Sequence, residues 1–287
     1  MMETQIEVRG VTRGVAASDG AGVRLRRYIG QPSLDSIDPF LMLDHFNSSS
    51  PDDYMAGFPD HPHRGFETVT YMLAGRVRHR DSEGHEDVIG PGDLQWMTAG
   101  RGVIHSEMPE QEEGRMSGLQ LWVNLPAKKK MTAPKYRAIP REEVPEEVLE
   151  SGGRLKVIAG RSDGGTVGPL RLEEREPLFI DIALPKGARV SQGVGEGLRG
   201  FLFGIQGEVS VGSAGRRVGA EELGVLTGGS RIEIEGTSDE EARVLLVMAT
   251  PIGEAVVKWG PFVMNTRREI MKAIEDYQSG RLTQGDE

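Results

Sequence analysis

The chain has 287 residues, 37% hydrophobic and 27% charged, enough for one large domain or two of ordinary size with buried cores. Its formal net charge is −10, and its densest basic runs, Arg24-Leu25-Arg26-Arg27 and Lys128-Lys129-Lys130, are short and read as solvated faces, which speaks against direct nucleic-acid binding. There is no cysteine, so disulfides and thiolate ligands are excluded, and no apolar leader or run of ~20 apolar residues points to export or a membrane; cytoplasmic residence is the expectation.

In chain order, the apolar run Pro39-Phe-Leu-Met-Leu43 leads to His45, which reads as a packing or hydrogen-bonding residue. Thr68 to Leu73, rich in β-branched and aromatic residues, predicts a strand, and Gly75 a turn. Arg76 to Arg80 alternates charge with Val77 and His79, and Asp81-Ser-Glu-Gly84 reads as a hairpin turn flanked by exposed His79 and His85. Further strands are expected at Asp87 to Ile89, Leu94 to Thr98 and Leu119 to Leu125, with Gly90-Pro-Gly-Asp93 breaking the first two apart. Residues 127 to 152, with their lysines, prolines and glutamates, read as a surface connection. Strands resume at Leu155 to Ala159 and Leu178 to Leu184. Short strands at this spacing predict an all-β sandwich or barrel.

The second half echoes the first. Thr70-Tyr-Met-Leu-Ala-Gly75-Arg-Val is matched by Leu202-Phe-Gly-Ile-Gln-Gly207-Glu-Val, and Asp93-Leu-Gln-Trp-Met-Thr-Ala-Gly100 by Glu222-Leu-Gly-Val-Leu-Thr-Gly-Gly229. Two matches in one order imply two copies of one β-domain. At the tail, Thr266-Arg-Arg-Glu269 predicts a capping box, Ile270, Met271, Ile274 and Tyr277 follow at roughly helical spacing, and Gly280 is a stop, so a terminal helix is expected on the sheets.

All six histidines lie between His45 and His105. His61-Pro-His63 has i, i+2 spacing, which on a strand turns both imidazoles to one face, and His105-Ser-Glu107 repeats it. Two such pairs on neighbouring strands would converge four N/O ligands on one ion. Pro62 cannot donate to a ladder, so its strand should be at an edge or just starting. Glu67 shares parity with His61 and His63, and spacing does not choose between Glu67 and Glu107 as the carboxylate. Three imidazoles and a carboxylate suit a divalent first-row metal, iron(II) first, with manganese, nickel, copper, cobalt and zinc open. Four protein ligands leave up to two octahedral positions for substrate or dioxygen.

At these residues the chain resembles the cupins, through Gly57, His61, His63, Glu67, Gly75 and Pro91-Gly92-Asp93. More narrowly it resembles the pirin family of bicupins, through Asp38-Pro-Phe-Leu-Met-Leu-Asp-His-Phe46, His61-Pro-His-Arg-Gly-Phe-Glu-Thr-Val-Thr-Tyr71, Trp96-Met-Thr-Ala-Gly-Arg-Gly-Val-Ile-His-Ser-Glu107, Gly118-Leu-Gln-Leu-Trp-Val-Asn-Leu-Pro126, Gly260-Pro-Phe-Val-Met-Asn-Thr266 and Asp276-Tyr-Gln278. The resemblance implies two tandem cupin (jelly-roll β-barrel) domains with a short C-terminal helix: residues 1–136 metal-binding, 137–150 a linker, 151–287 a degenerate cupin carrying the helix. It implies His61, His63, His105 and Glu107 as metal ligands, with Glu67 not ligating. Laid on the repeat, the ligands fall opposite Gly193, Gly195, Ile234 and Gly236, so the second domain is expected to be metal-free.

The resemblance also implies a quercetin 2,3-dioxygenase activity, in which a flavonol binds the metal and is opened by dioxygen. Glu107 is the candidate base, and Arg64, Gln120 and Trp122 are candidate cavity residues or structural ones. A regulatory role through a protein partner, with the metal reporting redox state, and a non-redox metal enzyme such as an isomerase are the alternatives.

Overall fold

The computed structural model describes residues 4–170 and 177–284. Antiparallel strands dominate, and the chain divides into two units, one of Val15–Arg141 with Ile252 onward, the other of Glu142–Pro251 with the residues up to Gly14. This division differs from the expected 1–136, 137–150 and 151–287. The break at Arg141/Glu142 lies inside the expected linker, but the two termini change places. The reason is long-range pairing: strand Val8–Thr12 runs antiparallel to Leu223–Leu226, and the terminal helix closes an apolar cluster with Ile104, Phe262 and Met264.

The first unit has a seven-stranded sheet in the order Lys135–Ile139, Leu94–Thr98, Phe66–Ala74, Met116–Asn124, Phe40–Ser48, Val23–Ile29, Val15–Asp19. A four-stranded sheet, ordered Phe58–His63, Val103–Pro109, Val77–Asp81, Glu86–Ile89, completes the jelly roll. Phe66–Ala74 is buried over its first seven residues, as its aromatic and β-branched run predicts for a central strand. Phe58–His63 is an edge strand, which is where Pro62 costs no ladder bond.

The second unit repeats this plan. Its large sheet runs Val8–Thr12, Leu223–Leu226, Arg199–Gln206, Ala242–Ala249, Leu178–Leu184, Arg154–Ala159, Glu146–Val148, and its small one Arg189–Gly193, Arg231–Gly236, Glu208–Val211, Arg216–Gly219. The two echoes in the sequence therefore fall on equivalent strands. Gly193 sits on the strand equivalent to that of His61 and His63, and Ile234 and Gly236 on that of His105 and Glu107. The interior here is one apolar cluster that includes Val190, Ile232 and Ile234, with no imidazole among them.

The stretch from 127 to 152 is not a plain surface connection. Lys135–Ile139 pairs with Leu94–Thr98, and Glu146–Val148 with Arg154–Ala159. Lys130 is buried, its ammonium donating to the Gly65 carbonyl (2.7 Å), Asn124 Oδ1 (2.7 Å) and the Val263 carbonyl (2.9 Å). Gly65 allows this approach: its φ is +90°, and a Cβ there would strike the Val263 carbonyl. In the other basic run, Arg27 turns inward onto Asp44 (2.8 and 2.7 Å). Tertiary partners thus claim one member of each run read as solvated. The terminal helix, Arg267–Gln278, starts on the predicted capping box, with Thr266 and Glu269 bonded reciprocally. It buries Ile270 and Ala273, while Met271, expected on the inner face, is exposed.

Candidate metal centre

Strands Phe58–His63 and Val103–Pro109 are antiparallel neighbours, with His61 directly opposite His105 and His63 opposite Val103. The i, i+2 alternation then brings three imidazoles together. Ring centroids are 4.7 Å apart for His61 and His63, 4.3 Å for His61 and His105, and 4.9 Å for His63 and His105. One nitrogen from each of the three lies within 4.8 Å of the others.

Each ring is prepared in its own way. His61 Nδ1 donates to the Pro59 carbonyl (2.8 Å) and His63 Nδ1 to the Pro261 carbonyl (3.4 Å), which puts a proton on each Nδ1 and leaves Nε2 as the nitrogen available to an ion. Burial, and then the neighbouring His61, hold His63 well below the usual imidazole range. Burial does the same to His105, followed by His63, His61 and His79. Both rings are therefore neutral near pH 7, the state a metal requires. His105 goes further, because both of its ring nitrogens are buried with no hydrogen-bond partner among the described residues. An orphaned imidazole costs free energy that an ion at one nitrogen would recover. The donor set fits a divalent transition metal.

The structure brings Glu107 to His105 rather than to all three rings at once. A second set of ligand atoms within 4.8 Å of one another comprises His79, His105 and Glu107, so His105 joins two triads. Glu107 is buried and held at both oxygens. Oε1 lies 3.0 Å from the Thr70 hydroxyl and 3.3 Å from Gln95 Nε2, and Oε2 accepts from Gln120 Nε2 at 3.3 Å. The Thr70 hydroxyl is also 2.6 Å from Gln120 Oε1, and its single proton serves one oxygen at a time. A carboxylate accepting these bonds keeps lone pairs for an ion.

His79 is a correction. It is not exposed but fully buried, opposite Glu107 across the Val77–Asp81 pairing. Its Nε2 faces Asp81 Oδ2 (3.2 Å), its Nδ1 accepts from Gln95 Nε2 (3.1 Å), and its ring stacks on Tyr136 at 4.6 Å. Strand parity carried the signal, since Val77, His79 and Asp81 alternate inward. His85 stays half-exposed, with Nδ1 against Asp81. His45 is buried, Nε2 at 3.2 Å from Ser117 Oγ, as a packing residue should be. Glu67 accepts from Thr98 Oγ1 (2.8 Å) and belongs to neither triad.

A cavity of about 760 Å³ opens beside the cluster, lined by His61, His63, Thr70, Glu107, Gln120 and Trp122 among others. Arg64 is not among its walls. Its guanidinium is buried against Asp276 of the terminal helix (2.8 Å) and the carbonyls of Arg101 and Leu282, so its role is structural.

A family profile described as Pirin matches residues 22–123, and one described as the pirin C-terminal cupin domain matches residues 179–283. A pirin-like protein of Caulobacter vibrioides is 48% identical over 277 residues, covering 95% of this chain and 97% of its own. A Pseudomonas aeruginosa protein, named provisionally as a quercetin 2,3-dioxygenase, is 48% identical over 94% of this chain and 95% of its own. Human pirin is 41% identical over 92% and 89%. Among solved structures, a quercetin 2,3-dioxygenase from Acinetobacter baumannii superposes with a TM-score of 0.87 at 33% identity, covering 97% of this chain and 98% of that one. The nickel(II) complex of the bacterial pirin YhhW from Escherichia coli shares the fold, with a TM-score of 0.65 at 20% identity over 86% of this chain and 99% of that one.

Proposed function

The chain belongs to the pirin family, and from that premise we propose that it is a metal-dependent dioxygenase that opens flavonols such as quercetin, with iron(II) held by His61, His63, His105 and Glu107. The observation that carries this reading is the convergence of three imidazoles, with His61 and His63 on the wall of a cavity of about 760 Å³ and the buried His105 behind them, its ring nitrogens without a hydrogen-bond partner among the described residues. Relatives named for quercetin dioxygenation supply the substrate class.

When bound, the ion supplies Lewis acidity to a substrate hydroxyl and, as iron(II), electrons to dioxygen. The rest falls to the chain. His61 and His63, locked by the carbonyls of Pro59 and Pro261, present fixed lone pairs and need no reorganisation. Glu107 is the group placed to take the proton of the flavonol 3-hydroxyl, and Gln95, Thr70 and Gln120 fix its carboxylate while it does so. Trp122, stacked on Phe66 at 4.2 Å and edge-on to His63 at 5.1 Å, gives the cavity a rigid aromatic wall for a planar ligand. The net change inserts both atoms of dioxygen and expels one ring carbon as carbon monoxide.

The test is aerobic and anaerobic incubation of iron-loaded protein with quercetin. The expected result is oxygen-dependent loss of the flavonol with matching carbon monoxide. Loss no faster than with free iron would defeat the proposal.

A further inference from the structure

Five inward-facing polar residues lie in one register row across the large sheet of the first unit. Gln95 is opposite Thr70, Thr70 opposite Gln120, Gln120 opposite Asp44, and Asp44 opposite Arg27. Strands are spaced by about 4.8 Å, so the row runs roughly 19 Å, and its last two steps carry it about 10 Å beyond Gln120. Glu107 is bonded to the first three members, which makes that end the metal end. The last four members all line the cavity. The flanking positions are apolar. Met42 and Trp122 face each other on one side of the row, and Phe46 and Leu25 line the cavity on the other. A slot with two apolar walls and a polar floor fits a planar ring system lying along the row.

The remote end selects the group it would bind. Arg27 donates Nε and Nη2 to Asp44 and Nη2 also to Asp19, all at 2.7 to 2.8 Å, so its charge is already matched, and Nη1 makes no hydrogen bond among the described residues. One cation beside two carboxylates disfavours an anion. Asp44 accepts one bond at each oxygen and keeps acceptor capacity. The site therefore offers donor and acceptor together, the pattern a hydroxyl satisfies, and adjacent phenolic hydroxyls satisfy twice. We infer that Asp44 and Arg27 form a second subsite that reads hydroxyl groups on the ring of a planar phenolic ligand farthest from the metal ligands. This inference rests on the flavonol reading of the cavity and makes these two side chains its specificity determinants.

Binding is measured by tryptophan fluorescence on the zinc-loaded full chain under nitrogen, where no turnover occurs. The probes are quercetin and galangin, which differ only in the hydroxyls of the pendant ring. A hydrogen bond to a charged group is worth roughly tenfold or more in affinity. Wild type is therefore expected to favour quercetin by roughly tenfold or more. The double variant Arg27→Met/Asp44→Leu removes both charges together, a replacement that buried ion pairs commonly tolerate. It should bind the two flavonols within about threefold of each other, with galangin affinity unchanged. Arg27→Lys, which keeps the charge but loses the fork, is the second variant and should fall between. Equal affinities in wild type, or full discrimination in either folded variant, overturn the subsite. Admitting oxygen to iron-loaded protein separates the two readings: discrimination without flavonol loss leaves the subsite standing and removes the dioxygenase, and flavonol loss without discrimination does the reverse.

Discussion

His105→Leu should act in opposite directions with and without metal. Without metal, both ring nitrogens of His105 are buried with no hydrogen-bond partner among the described residues. An unsatisfied buried polar group costs about 1–3 kcal/mol. A near-isosteric apolar replacement removes that cost and adds up to about 1.5 kcal/mol for imperfect shape. The metal-free variant is thus expected to match wild type or exceed it by about 1 kcal/mol, a rise of about 2–4 °C in Tm. Metal reverses the order. At a free concentration 1,000-fold above Kd, an ion that binds only the folded state stabilises wild type by about 4 kcal/mol, and the variant, missing the imidazole shared by both triads, gains little. Scanning calorimetry in chelator and in zinc(II), following the transition that responds to metal, reads both signs. A variant that melts well below wild type in chelator and still shows the full zinc shift would refute the idea that His105 is held for an ion.

Three further outcomes follow from the same geometry. Glu107→Gln should weaken zinc binding at least roughly tenfold by titration calorimetry, whereas Glu67→Gln, whose carboxylate is occupied by Thr98, should leave it within about threefold; the reverse pattern would transfer the carboxylate role to Glu67. Asp276→Asn should cost about 3–5 kcal/mol, because it strands the buried Arg64 guanidinium, and hydrogen exchange should show the terminal helix loosened first. Burial raises the Asp276 carboxyl, but its bonds to Arg64 and Lys272 outweigh that and hold it below the usual range. Its contribution is then complete above about pH 4 and disappears as pH falls through the lowered folded value, so wild-type and Asp276→Asn melting curves should converge in acid. Lys130→Met should destabilise the first unit by more than about 3 kcal/mol in urea, since it leaves three acceptors without their donor.

Much of this was legible locally. Leu94–Thr98 and Leu178–Leu184 begin and end where the sequence places them, because glycine, proline and charge bracket short apolar runs. The i, i+2 pairs His61/His63 and His105/Glu107 forecast the shared face of the first two imidazoles and the neighbouring strands. What was missed depends on partners far along the chain. Lys130 and Arg27 sit in basic runs whose composition says surface, and only the carbonyls and carboxylates they meet explain their burial. Arg64 lies one residue from His63 yet serves the terminal helix. Strand Lys135–Ile139 alternates too weakly, beside prolines, to stand out. His79 is the exception, since its parity with Val77 was readable and the polar hairpin beyond it masked the signal.

The carbonyl that sets the tautomer of His63 belongs to Pro261, 198 residues later. Lys130 likewise waits for Val263, and Arg64 for Asp276. During synthesis the ligand-bearing strands emerge early, but the pieces that lock them arrive only after the whole Glu142–Pro251 segment has been made. The first unit is therefore last to be finished, and the bonds that Pro261, Val263 and Asp276 supply are the closing step of its assembly.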